Sequence, residues 1–422
     1  MMFKSIDLDN GLKVATVRMP HMESVSIGVW INAGVRNEGK SNNGISHLIE
    51  HLLFKGTKTR DAVCLKQEIE GRGGSFNGFT AEEFTCYLVK VLAKDVSFGM
   101  DVLGDMVLNP LLSEKDIAKE KQVIIEEINM YRDMPAHYIH ELLTEILWPG
   151  HPLGFPLAGT VESVRSIVRK DVLGYKDIFY TPSNMAVAAV GNLEEESVSL
   201  LARRFFAKAK ASVTPASPDI SESRGSTNVL VHYKKTEQTH VAIGIHAPHR
   251  FHPDRYVVSL LNIILGANMS SRLFQEVRER LALCYEIGSS VRRYRDDAAF
   301  VISAGVDCEK LKKALSVILR ELAKIKKSFV GADELKRAKE YYKGQLLLAL
   351  EDTMSAMLWF GEKIVTDEKE FNVKAILSRI ESITAADISR LANDLFHDAN
   401  LSLAVIGPVK DKPGIEEVFR IR

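Results

Sequence analysis

Two histidines and a glutamate fall within five positions of an otherwise apolar stretch: His47, Glu50 and His51 in GISHLIEHLLFKGT, residues 44–57. Residues four apart stack on one face of an α-helix, so His47 and His51 can turn two imidazoles toward one ion with Glu50 beside them. Neutral imidazole is a common zinc ligand, and a catalytic zinc needs a third protein ligand and one open position. The familiar zinc-protease helix reads H-E-x-x-H; here the order is inverted, H-x-x-E-H, a pattern that also occurs among zinc peptidases. The plainer explanation is a buried helix with incidental histidines. Composition alone produces such a trio on the order of once in a hundred comparable chains.

A third ligand has to come from another element. SEKDIAKEKQVIIEEINMYRDMP opens at Ser113, with acidic residues behind it, and reads as one long helix to Pro135. Glu120 and Glu127 are seven apart and share a face, whereas Glu126 points about a hundred degrees away from Glu127. One face thus offers a ligand candidate and a second carboxylate able to hold a histidine's free N–H.

The elements that must bring these groups together are visible in the first half. SVSIGVWINAG is strand-like, NGISHLIEHLLFKG is a short buried helix closed by Gly56, and DAVCLKQEIEGRGG is an amphipathic helix stopped by glycines. SFNGFTAEEFTCYLVKVL alternates like two strands around a turn. The second half repeats the plan. VSIGVWINAGVRNE (25–38) resembles VAIGIHAPHRFHPD (241–254), and MAVAAVGNL (185–193) parallels LSLAVIGPV (401–409). Each half reads as strands, helices and a return strand: an α+β fold of two homologous halves, each a largely antiparallel sheet with helices on one face. Between them, KAKASVTPASPDISESRGS (208–226) has the Ser/Pro/Ala-rich composition of an exposed linker. The expected division is 1–210, a linker at 211–226, and 227–422.

The bulk properties exclude several function classes. Lys+Arg and Asp+Glu both total 55, which leaves no net field to favour nucleic acid or an anionic membrane. The four cysteines form no C-x-x-C pair and fit reduced thiols. MMFKSIDLDNGLKVATV has neither the pattern of a secretory signal nor that of an organelle presequence, and no apolar run approaches the roughly 18–20 residues that span a bilayer. The expectation is a cytoplasmic, soluble protein with no nucleic-acid or membrane partner. The remaining histidine sets, His137 with His140 and His246 with His249 and His252, lack an acidic partner at ligand spacing and read as surface or turn residues. No P-loop, dinucleotide fingerprint or nucleophile elbow competes for the function.

HLIEH at 47–51 followed by Glu127 resembles the pitrilysin/insulinase family of inverted-zincin metallopeptidases. Within it, the chain looks most like the bacterial members related to the mitochondrial processing peptidase β subunit. The likeness runs from DNGLKV through HLLFKGT, GGSFNGFTAEEFTCY, EKQVIIEEI, PLGFPLAGT and NMAVAAVGN to SSRLFQEVRERLALCY. Carried over, it implies one Zn²⁺ per chain held by His47, His51 and Glu127, with Glu50 as general base and Glu120 as the acidic residue behind the site. It implies that SFNGFT is an edge strand which pairs with substrate through Asn77, Gly78 and Phe79, with Gly78 where relatives usually carry alanine. It also implies that Arg278 and Tyr285 act on bound substrate, with Ala282 in place of the usual intervening glycine. The implied fold is a clamshell-type chamber of two α+β halves. The implied activity is zinc-dependent endopeptidase cleavage of unfolded or short polypeptides held in extended form. Some relatives divide the zinc site and the Arg/Tyr pair between two different subunits. This chain holds both, so the expected assembly is a homodimer. The alternative is a non-catalytic architectural or partner subunit of the same fold.

Overall fold

The chain is described over residues 3–207, 215–220 and 228–421 by a computed structural model. The β-rich runs of the first half form six strands: β1 (Phe3–Asp7), β2 (Lys13–Arg18), β3 (Ser24–Ile31), β4 (Ser75–Thr80), β5 (Thr85–Leu92) and β6 (Met185–Gly191). They pair in the order β1-β2-β6-β3-β5-β4, with β2 and β6 parallel and every other pair antiparallel. The second half supplies β7 (Asn228–Tyr233), β8 (Thr239–Ala247), β9 (Cys284–Arg293), β10 (Ala298–Val306) and β11 (Leu401–Gly407). Their order is β7-β11-β8-β10-β9, with β7 and β11 parallel and every other pair antiparallel. With β1 set aside, the two sheets have the same order and the same strand directions. The sequence repeat lies on equivalent strands: VSIGVW and VAIGIH are β3 and β8, while MAVAAVG and LSLAVIG are β6 and β11.

Each sheet belongs to one of two compact units, and these interleave along the chain. One comprises Met1–Asn129, Phe155–Pro218 and Leu347–Phe371; the other comprises Met130–Gly154, Asp219–Leu346 and Asn372–Arg422. The change from one unit to the other after Pro218 falls inside the expected linker, of which 215–220 is described; 211–214 and 221–226 lie outside the described residues.

Side-chain alternation explains the exchange of segments. On β3, Val25, Ile27, Val29 and Ile31 enter one core with Leu48, Ile49 and Leu52 of the Ile45–Leu53 helix. Ser26, Gly28 and Trp30 point to the opposite face, which the Thr353–Val365 helix covers: Ser26 Oγ lies 3.0 Å from Thr353 Oγ1. The second unit is built likewise. Ile139, Leu142, Leu143 and Leu147 of the Pro135–Leu147 helix share a core with Ala242, Ala404 and Ile406. The expectation of helices on one face therefore needs correcting: in each unit a helix from a distant stretch of chain covers the other face. It also accounts for the repeated Ile-Gly pair. A Cβ on Gly28 would stand 2.5 Å from Met357 Sδ, and one on Gly244 would stand 2.8 Å from Leu147 Cδ1. Glycine lets each covering helix approach its sheet closely.

Among the described residues no helix is long and apolar enough to cross a membrane. The four cysteines are free thiols.

Candidate metal centre

The histidine helix, Ile45–Leu53, starts behind Gly44, which sits at φ 92° with the Ala158 carbonyl so near that a Cβ would lie 2.5 Å from its oxygen. A side-chain cap at that position is thus impossible, and the exposed N–H groups of the first turn need another acceptor. Glu38, 3% exposed, supplies it. Its carboxylate accepts from Gly44 N at 2.7 Å, Ser46 N at 2.9 Å and Asn43 Nδ2 at 2.9 Å. Burial pushes the Glu38 carboxyl above its ordinary range, and these hydrogen bonds pull it back.

The second element is the helix Glu114–Asp133, which buries Ile117, Glu120, Ile124, Ile125 and Ile128. A carboxylate in that apolar row requires partners. Glu120, 2% exposed, has two: Oε2 is 3.2 Å from His51 Nδ1 and Oε1 is 2.8 Å from Lys55 Nζ. Two turns on, Glu127 directs Oε2 toward both imidazoles, 3.7 Å from His51 Nε2 and 3.9 Å from His47 Nε2. Glu126 is exposed, off that face. One donor atom from each of His47, His51 and Glu127 lies within 4.8 Å of the others.

This donor set fits zinc. The separations exceed hydrogen-bond length, yet two ligands about 2.1 Å from one ion in tetrahedral geometry stand roughly 3.4 Å apart. The two Glu127 separations are within a few tenths of an ångström of that spacing, and no pair of the three donor atoms is more than 4.8 Å apart. Burial and the neighbouring His51 lower the His47 pKa to about 4, so its lone pair is available at neutral pH. His47 Nδ1 is buried and unpartnered, in contrast to His51 Nδ1 on Glu120.

Glu50 lies on the same helix and accepts from Thr80 Oγ1 at 2.7 Å. Burial raises its pKa, with Thr80 and His51 pulling it down and Glu127 pushing it up. Thr80 ends β4, the outer strand of its sheet. A Cβ on Gly78 of that strand would lie 3.2 Å from Glu50 Cγ and 3.1 Å from the Phe54 ring, so β4 runs directly alongside Glu50. Asn77 is exposed and accepts from Gly78 N, while Phe79 packs edge-on to Trp30. These residues all lie in the first unit.

Arg278 and Tyr285 lie in the second unit and meet each other. Arg278 is in the π-helical turn Phe274–Arg280, its guanidinium carbon 5.0 Å from the ring centre of Tyr285 on β9. The tyrosine is 77% exposed, so its hydroxyl is accessible. Ala282 between them holds a left-handed φ of 46°, the conformation that glycine takes without strain.

Three contributors escaped the sequence reading. Lys55 lies four residues beyond His51, just past the end of the helix, and could have been found by spacing. Thr80 sits inside the quoted SFNGFT stretch. Glu38 leaves no local signal, because it caps a helix that begins seven residues later. The reading of His246 as a surface or turn residue is corrected. It lies on β8, 7% exposed, with Nδ1 2.8 Å from Asp297 Oδ2, which also accepts from Trp148 Nε1 at 2.8 Å.

The family model described as Insulinase (Peptidase family M16) matches residues 13–161, and that described as Peptidase M16 inactive domain matches 166–342. The chain is 34% identical over 413 residues to an uncharacterized zinc protease of Bacillus subtilis, covering 98% of this chain and 100% of that one. It is 34% identical over 411 residues to an uncharacterized zinc protease of Streptomyces coelicolor, covering 96% and 89%. The crystal structure of a protease from Helicobacter pylori superposes with a TM-score of 0.91 at 24% identity, over 96% of this chain and 99% of that one. A peptidase M16 inactive domain from Pseudomonas fluorescens gives 0.90 at 19% identity, over 97% and 99%. At those identities the structures speak to fold alone.

Proposed function

The chain belongs to the insulinase family, peptidase family M16, and on that premise we propose that it is a zinc-dependent endopeptidase acting on unfolded or short polypeptides in extended form. The observation that carries this reading is the convergence of His47, His51 and Glu127 with Glu50 beside them. Zinc, when bound, supplies Lewis acidity toward a water molecule and toward the scissile carbonyl. The protein's own groups do the rest. Glu50 takes the proton of the attacking water and returns it to the leaving amine, and its raised pKa suits a group that must both accept and donate. Thr80 Oγ1 fixes the carboxylate from the end of β4. The open side of β4 accepts an extended peptide as an added strand, with Asn77, Gly78 and Phe79 against it; backbone pairing of that kind gives affinity with little sequence selectivity. Gly78 leaves the space next to Glu50 clear.

Arg278 and Tyr285 are proposed as donors to the substrate carbonyl and to the developing oxyanion. Because one chain carries both this pair and the zinc ligands, the proposed assembly is a homodimer in which each site is completed by the partner copy, enclosing the substrate in a chamber. The proposed place within the family is among the processing-peptidase-like members, and the proposed location is the cytoplasm, with the free cysteines in support. An architectural role would leave the ligand set under no chemical constraint, yet the set is complete.

The test is metal content and cleavage of an unstructured peptide, before and after chelation. Stoichiometric zinc and chelator-sensitive cleavage are expected, with activity restored by added zinc. A protein that binds no zinc and leaves the peptide whole refutes the proposal.

A further inference from the structure

We infer that Glu38 is a positioning residue for the metal centre, acting on His47 through the amino terminus of the histidine helix. The inference rests on the zinc reading above and adds a residue to it. The two imidazoles are held by different means. His51 is oriented by a side chain, through Glu120 on Nδ1. Among the described residues His47 has no such partner, since its Nδ1 is buried and makes no hydrogen bond, so its ring is placed by the backbone that carries it and by packing. That backbone is the first turn of the helix, and His47 directly follows Ser46, whose N–H bonds Glu38.

Glu38 is equipped to fix that turn. Gly44 brings no capping side chain and has no room for one. Glu38 instead accepts from Gly44 N, Ser46 N and Asn43 Nδ2, a carboxylate with donors on both oxygens at the positive end of the helix dipole. A displacement of the helix start therefore reaches His47 first. It falls off toward His51, which lies one turn further on and is tied to Glu120.

The decisive variant is Glu38→Gln, equal in size, whose amide NH₂ must face a donor that the carboxylate accepted. Its zinc affinity is measured on metal-free protein by competition with a chromophoric chelator, well below the melting temperature. The expected result is a loss of about tenfold, and a multiplied loss when Glu38→Gln is combined with Glu120→Gln, because the two act on different histidines. A cap with only a structural role would lower the melting temperature and leave zinc affinity intact. That outcome overturns the inference, as does a double variant no weaker than Glu120→Gln alone. A wild-type protein that binds no zinc removes the zinc reading itself, which separates the two failures. If Glu38→Gln does not fold, hydrogen exchange on the wild type gives the answer. Coupling is reciprocal, so zinc added to metal-free protein should slow exchange at Gly44 and Ser46, and unchanged exchange there overturns the inference.

Discussion

Glu120 offers the sharpest test of how the site is held together. It is almost fully buried, and its two oxygens serve two basic side chains four residues apart, His51 in the last turn of the histidine helix and Lys55 just beyond its end. Glu120→Gln keeps the size but leaves one oxygen to do the work of two. The Lys55 side chain is 34% exposed and can swing into water, so the remaining oxygen should keep His51 oriented while the negative charge is lost. Glu120→Ala removes both the charge and the orientation. Outer partners of metal-bound histidines are typically worth 10–100-fold in metal affinity, so Gln should cost about tenfold, near 1.4 kcal/mol, and Ala about a hundredfold, near 2.7 kcal/mol. Chelator competition on metal-free protein measures both, and turnover titrated against zinc should recover most of its maximum when metal is saturating. Two variants that bind zinc as tightly as the wild type, or a Gln variant weaker than the Ala one, would refute the reasoning.

Further outcomes follow from the same geometry. Glu50→Gln should retain zinc while turnover falls about 10²–10⁴-fold, and parallel loss of zinc and turnover would show Glu50 to be a ligand. Glu127→Gln should weaken zinc binding while Glu126→Gln, on the exposed face, should not; the reverse result would move the ligand by one residue. Mixing inactive Glu50→Gln with inactive Tyr285→Phe protein should restore part of the activity as subunits exchange, and an active species that sediments as a monomer contradicts the shared-site dimer. His47→Leu should abolish zinc binding yet raise the stability of the metal-free protein by about 1–2 kcal/mol, because it removes a buried unsatisfied nitrogen; a lower denaturation midpoint would contradict that.

What the sequence discloses, and what it hides, follows the range of the interactions. HLIEH and the seven-residue step from Glu120 to Glu127 are helical periodicities, fixed locally, and they place five of the site's side chains, His47, Glu50, His51, Glu120 and Glu127. The internal repeat is also local, so the equivalent strands β3 and β8, and β6 and β11, can be matched by eye. The covering helices are different. An amphipathic pattern in Pro135–Leu147 or Thr353–Val365 states that a face will be buried without stating against which sheet, and the partner here is remote in sequence. Gly28 and Gly244 record those contacts as missing side chains, a signal with no address. Trp148 and His246 meeting on Asp297 is hidden for the same reason, as is Glu38 at a helix whose N-terminal position is a glycine.

The duplication also shows what the metal site displaces. After β3 comes the helix ISHLIEHLL, and after β8 comes RYVVSLLNIIL, Arg255–Leu265, which contains no histidine and buries Val257, Val258, Leu260 and Leu261 against its own sheet. One architecture thus carries the same element twice, once as ordinary core and once with two imidazoles and a carboxylate set into it. Burying polar groups there costs stability unless each is satisfied, and the first unit satisfies them unevenly: Glu120 by a hydrogen bond with His51 and an ion pair with Lys55, Glu50 by Thr80, His47 Nδ1 by no partner among the described residues. Three converging donors that are too far apart to bond one another are arranged to share a cation. Among the described residues the second unit brings no such group of ligands together, and it keeps the apolar solution. That contrast within a single chain is the strongest physical reason to read His47, His51 and Glu127 as a site maintained for its chemistry.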